Sequence, residues 1–207
     1  MAKEKTLNDV FLETLKDVYY AEKQAVRQLQ KAAKAAKSEE LKEAFTKHRE
    51  ESQGQIERLD QVFEMLGKPA RGKTCEAIQG LNAEMAEVLE DFGDSPAADA
   101  ALIGTAQAVE HYEIARYGTL KTWANQIGMP DAAKLLDETL QEEKRTDELL
   151  TRIAEGQANQ EAGQGEPEED DEEDEEPADD ASEEDKPSGR KASAGKNAKG
   201  SPKRKSA

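Results

Sequence analysis

Four segments of this 207-residue chain repeat the three-and-four spacing of an amphipathic helix, and each carries a glutamate where an apolar side chain belongs. Glu22 shares a stripe with Phe11, Leu15, Val18, Ala25 and Leu29. Glu51 lies one turn from His48 and Gln55 on a stripe of Leu41, Phe45, Leu59 and Val62, and Glu113 follows Leu102, Ala106 and Val109. Glu143 sits among Leu136, Leu140 and Leu150. A carboxylate on a buried face must be protonated, paired or bound to a cation, because desolvation penalises its charged form. Four that meet would also repel one another, and a pair of divalent metal ions removes both costs. The chemistry suggested is a dinuclear metal centre built from oxygen ligands.

Whether the four can meet depends on the elements that carry them. Ser38, followed by Glu40 and Leu41, reads as a helix start, and the run Gly67 to Pro69 as a helix stop. Gly128 ends a third helix that begins at Pro96, and Pro130 opens a fourth, since proline fits a first turn. A shorter helix is expected within the long connection, in "KTCEAIQGLNAEMAEVLEDF". Alternation of the strand type never lasts. The fold expected is all-α: two antiparallel helical hairpins joined by a long helical crossover, the connectivity of a four-helix bundle with one crossover.

Glu22 precedes Lys37 by fifteen residues and Glu51 follows it by fourteen. At ~1.5 Å per residue both lie roughly 21 to 23 Å from that turn. Glu113 and Glu143 stand fifteen residues to either side of Gly128, about 22 Å from the second turn by the same rise. If the crossover returns the chain along the bundle, the turns lie at opposite ends and all four acids converge at one height. His48, Glu110 and Asp147 are then displaced in one direction from the quartet, where they could add ligands, and Gln55 in the other. Gln55 and Asp147 are assigned to outer positions, hydrogen-bonding to ligands rather than to metal.

"GKPARGKT", Gly67 to Thr74, matches the pattern of a phosphate-binding loop, but that loop needs a strand before it and here a long helix precedes it. It reads as a helix stop and a polar crossover. The composition, 36% charged and 35% hydrophobic with a formal net charge of -17, owes much to one end. Beyond Gln157 the chain lacks aromatic residues and packs acids densely, then turns lysine-rich, so residues 1–155 are expected to form the bundle and 156–207 a disordered acidic-then-basic tail. Cys75 is the single cysteine, which excludes an intrachain disulfide and suits a reducing compartment. The charged N-terminus lacks a secretory h-region and no run approaches the ~20 apolar residues of a membrane helix, so the expected location is the cytoplasm.

"YYAEKQ", "KHREESQGQIERLDQVFEMLG", "AVEHYEIARYGTL" and "LLDETLQEEKRTDELL", in that order, resemble the YciE and YciF stress proteins of the ferritin-like superfamily across the first 155 residues. The resemblance implies a ferritin-like bundle, a dinuclear site usually assigned as iron, and induction in bacterial stress responses. It implies Glu22, Glu51, Glu110, Glu113 and Glu143 as metal-site carboxylates, with His48 the nearest imidazole. The wider di-iron pattern places a histidine three residues after the bridging glutamate on two helices. Here Gly54 follows Glu51 and Thr146 follows Glu143 at that spacing. The site would be poor in nitrogen, which brings manganese in beside iron.

Two functions follow. In the first, two divalent ions react with peroxide or dioxygen as an oxidase or peroxidase, or the same centre buffers metal; whether it is an enzyme stays open. In the second, the protein is a non-catalytic helical stress or interaction protein whose core acids are protonated or hydrogen bonded and whose basic tail end could contact nucleic acid. Bundles of this kind commonly pair, so a homodimer is an open alternative to a monomer.

Overall fold

Each of the four apolar stripes folds as a long helix. The computed structural model describes residues 4–164. In chain order they form α1 (Leu7–Ala35), α2 (Glu39–Met65), α3 (Glu76–Phe92), α4 (Ala98–Gln126) and α5 (Pro130–Ile153), then a π turn over Ala154–Ala158 and a last helical turn, α6 (Asn159–Ala162). The boundaries follow local chemistry. Ser38 caps α2, its hydroxyl accepting from the Leu41 amide at 3.4 Å, and Pro130 occupies the first turn of α5. Gly67 and Gly128 adopt φ of 63° and 78°, which lets Lys68 and Met129 donate to carbonyls five residues back and closes both helix ends. α4 begins two residues later than Pro96, because a turn at Ser95 precedes it, with the Ala98 amide donating to the Ser95 carbonyl.

α1 packs on α2 and α4, and α5 packs on the same two helices, so the four form a square with α1 and α5 on one diagonal. The shorter α3 lies outside the square, against α4 and more lightly α1. This is the ferritin-like arrangement expected. The segment read as a false phosphate loop runs without helix between α2 and α3, and the Lys73 amide donates to the Lys16 carbonyl on α1.

Asp99, in the first turn of α4, accepts from the backbone amides of Lys37 and Ser38 at 2.7 and 2.8 Å. That ties the start of α4 to the first hairpin turn and puts the two hairpin turns at opposite ends of the bundle. Asp99 is buried, so removing it leaves two amides without a charged acceptor. Asp99→Ala is expected to cost about 2 kcal/mol. Urea denaturation would show a lowered midpoint with an unchanged slope.

Three apolar clusters make the core: a small one of Ala21, Cys75, Ile78 and Val109 where α3 meets α1 and α4, and two larger ones toward the ends of the bundle. At one end Phe11, Leu15, Leu59, Val62, Phe63 and Leu120 form one apolar cluster; at the other Leu29, Leu41, Phe45, Leu102, Ile103 and Leu150 form a second. Burying each such side chain contributes roughly 1.5–3 kcal/mol. That gain, placed on both sides of the middle, offsets the charged groups buried between. The helical unit also outruns residue 155, where the sequence ended it: Ala158 is buried in the second cluster and α6 follows. The calls on the tail from residue 165 onward lie outside the described residues.

Candidate metal centre

Between the two larger apolar clusters, the four long helices contribute one imidazole and four carboxylates to a closed chamber. Glu22 (α1) and Glu143 (α5) have no exposed surface, and His48 (α2), Glu110 and Glu113 (both α4) retain 3% or less. His48, Glu110, Glu113 and Glu143 each offer one ligand atom, and these atoms all lie within 4.8 Å of one another. His48 Nε2 stands 3.1 Å from Glu110 Oε1 and 3.5 Å from Glu143 Oε2. The other ring nitrogen, Nδ1, is 3.1 Å from the Thr146 hydroxyl, which itself lies 3.3 Å from the Glu142 carbonyl. The ring is thereby oriented from outside, as a metal-binding imidazole requires.

Glu22 faces the group from α1. Its Oε1 accepts from the Tyr117 hydroxyl at 2.5 Å. Gln55 donates to Glu143 Oε1 and, at 3.2 Å, to Glu142, whose carboxylate is gripped by Arg58 at 2.5 and 2.8 Å. Gln55 therefore holds one oxygen of a cluster carboxylate. Four carboxylate oxygens remain buried without a hydrogen-bond partner: Glu22 Oε2, Glu110 Oε2, Glu113 Oε1 and Glu143 Oε2.

Electrostatics reflect that shortage of donors. Burial pushes the Glu22 carboxyl up to about 7, against the opposing pull of the Tyr117 hydrogen bond and His48. Burial, reinforced by Glu22 and Glu110, holds Glu113 well above the ordinary carboxylate range. Burial raises Glu143 likewise, although His48 opposes it. For His48, burial alone would lower the pKa, but Glu110, Glu143 and Glu51 outweigh it and hold the imidazole well above its usual value. For each of these carboxyls burial favours the protonated form.

A family model described as "Domain of unknown function (DUF892)" matches residues 6–163. The chain belongs to the DUF892 family. Protein YciF of Escherichia coli (strain K12) is 51% identical over 159 residues, covering 76% of this chain and 96% of YciF. The crystal structure of the same E. coli stress protein superposes with a TM-score of 0.71, at 49% identity, covering 78% of this chain and 99% of that one. YcfI of Rhodopseudomonas palustris, described as a structural protein, gives a TM-score of 0.70 at 44% identity, over 73% of this chain and 97% of its own.

In this DUF892 chain the expected residues divide into those inside the chamber and those at its edge. Glu22, His48, Glu110, Glu113 and Glu143 are enclosed together. Glu51, placed by the stripe among the converging four, instead keeps 29% of its side chain exposed, 3.7 Å from Lys47 and on the Nδ1 side of His48. Its neighbour Ser52 takes the buried position and donates to the His48 carbonyl at 3.0 Å. The His48 imidazole, 3.7 Å away, lowers the Glu51 pKa and Lys47 adds to the effect, so the ionised form of this acid is favoured at the rim. Asp147 also lies outside, accepting from Gln107 at 2.9 Å and standing 3.2 Å from the exposed His111.

Two contributors were not singled out as site residues in the sequence. Tyr117 stands one turn beyond Glu113 on the same stripe, and Thr146 three residues beyond Glu143, where the wider pattern has histidine. Their spacing was visible, but their partners come from other helices. Tyr117→Phe removes the hydroxyl that, among the described residues, is the hydrogen-bond donor to the Glu22 side chain, and is expected to cost about 1–3 kcal/mol. Thermal melts of the two proteins side by side, with chelator present, would read it; equal midpoints would show the hydroxyl to be idle.

Proposed function

We propose that the chamber is a carboxylate-rich dinuclear metal centre of a cytoplasmic stress protein, with iron or manganese as the native ions. The observation that carries this reading is the set of four buried carboxylate oxygens with no hydrogen-bond partner, in a chamber whose nearest imidazole serves two acids at once. Such atoms are costly when left alone and are what a divalent cation requires. His48, Glu110, Glu113 and Glu143 would hold one ion, the four whose ligand atoms already cluster. Glu22, which acts electrostatically on Glu113 and keeps one oxygen without a partner, would help to hold the second. Bound ions of this kind would polarise dioxygen or peroxide and template its reaction.

The chain's own residues then have definite tasks. Thr146 keeps the His48 ring turned so that Nε2 faces the acids. Tyr117 fixes one oxygen of Glu22 and leaves the other free. Gln55 fixes Glu143 in the same fashion. The apolar clusters above and below exclude water, which strengthens every charge interaction between them. E. coli YciF is called a stress protein, and the 51% identity across most of this chain supports the same setting here.

Anaerobic titration with Fe(II), followed by gel filtration and elemental analysis, tests the reading. Two ions per chain are expected. Fewer than one retained ion would leave the alternative standing, a helical protein whose core acids are simply protonated, in keeping with the description of YcfI as structural.

A further inference from the structure

Outside the square of long helices, α3 crosses the seam between α1 and α4, and beneath it lies a small cavity of about 20 Å³. Its walls are apolar: Ala25 and Leu29 from α1, Met85 from α3, Ala106 and Val109 from α4. Its floor is the chamber itself, since Glu110, Glu113 and His48 line it. Gln28 and Asn82, the two partly exposed residues of the lining, stand at its outer edge.

Size and chemistry restrict the occupant. A water-sized molecule needs roughly 10–15 Å³ of such space, so this cavity admits a molecule of one or two heavy atoms. Between the amides at the edge and the carboxylates on the floor, the walls offer no hydrogen-bonding group to an ion or a peroxide. A second opening, of about 260 Å³ on the α2 and α5 side, is lined by charges from Lys47, Glu51, Arg145, Glu148 and Arg152. It reaches His48 and Thr146 only; none of the four enclosed carboxylates lines it. Of these two, the apolar cavity opens on Glu110 and Glu113.

We propose that this cavity is the entry path and seat of dioxygen, with Met85 of the crossover helix as its gate. The proposal rests on the metal-centre reading for its purpose, but the cavity can be tested without metal. The crossover helix thereby acquires a role beyond joining two hairpins: it supplies the one wall that does not belong to the bundle.

The first arm measures methyl proton relaxation in metal-free protein under dioxygen pressure. The methyls of Ala25 and Ala106 are expected to relax several-fold faster than those of Ala133 and Ala36, which are buried to a similar degree but lie away from the cavity. No excess over Ala133 and Ala36 overturns the proposal. The second arm follows nitric oxide association with ferrous-loaded protein. Ala25→Leu, which fills the cavity, is expected to slow association tenfold or more at unchanged iron content, and Met85→Ala to accelerate it. Rates equal to the parent's in both variants overturn it. Should Ala25→Leu fail to fold, Met85→Ala decides: unchanged association and unchanged Ala106 relaxation refute the gate. A protein that binds no iron defeats the metal-centre reading, while the relaxation arm still decides the cavity.

Discussion

Glu113→Gln is expected to abolish the stabilisation of this protein by metal while making the metal-free form more stable. Glu113 is 1% exposed, one of its oxygens has no partner, and Glu22 and Glu110 both push its pKa upward. A neutral amide of the same shape cannot take on the charge that burial and these neighbours penalise, so it removes the free-energy cost of holding a proton on this carboxyl at neutral pH. The same exchange removes a ligand from the cluster. With free Mn(II) a thousand-fold above its Kd, the parent should gain about 4 kcal/mol of unfolding free energy. Denaturant titrations of both proteins, with chelator and with Mn(II), give the four values needed. A parent indifferent to Mn(II), or a variant that responds as strongly as the parent, would remove the case for a metal centre.

The second large effect is an inverted pH dependence. Ordinary carboxylates, lowered on folding, lend stability that is lost in acid; here the sign reverses. Glu22 titrates near 4.5 when unfolded and about 7 when folded, so between those values the native state holds the extra proton and stability falls as pH rises. Glu113 and Glu143, raised by burial, act in the same direction. His48, raised above its usual value once burial is outweighed by its acids, contributes stability that is complete below about 6.5 and lost as pH climbs through its native pKa. Glu51, lowered by His48, works oppositely, but only below about 4.5. Each group contributes a slope of up to about 1.4 kcal/mol per pH unit. Chelator-treated protein should therefore melt at progressively lower temperature from pH 5 to 8. Bound metal displaces the protons and binds more tightly as pH rises, so the loaded protein should lose that decline. A metal-free melting temperature that rises over this interval would contradict the proton inventory of the chamber.

The hairpins, their turns and the crossover helix were legible because each rests on local chemistry: Ser38 at a cap, Gly67 and Gly128 where φ turns positive, Pro130 in a first turn. The convergence of Glu22, Glu113 and Glu143 was legible from equal distances to the turns. Glu51 was misplaced because a period of 3.6 residues leaves two positions flanking the centre of a stripe, and between His48 and Gln55 those are Glu51 and Ser52. Packing, not spacing, chose the serine. Glu110 entered the sequence reading through the family resemblance and a displaced height. It is enclosed because α4 is buried on two sides, toward the bundle and beneath α3. The end of the helical unit was missed because alanine, rather than a large apolar residue, carries the last buried contact at Ala158.

The enclosed groups come from both hairpins, Glu22 and His48 from the first and Glu110, Glu113 and Glu143 from the second. A cation seated among them would therefore stitch together two halves of the chain whose covalent connection is a crossover of more than thirty residues. With one cysteine, the chain has no intrachain disulfide to do this. Pulled apart by force, protein supplied with Mn(II) should rupture as one unit if it binds the ion there, whereas in chelator the two hairpins should be able to part before either unravels.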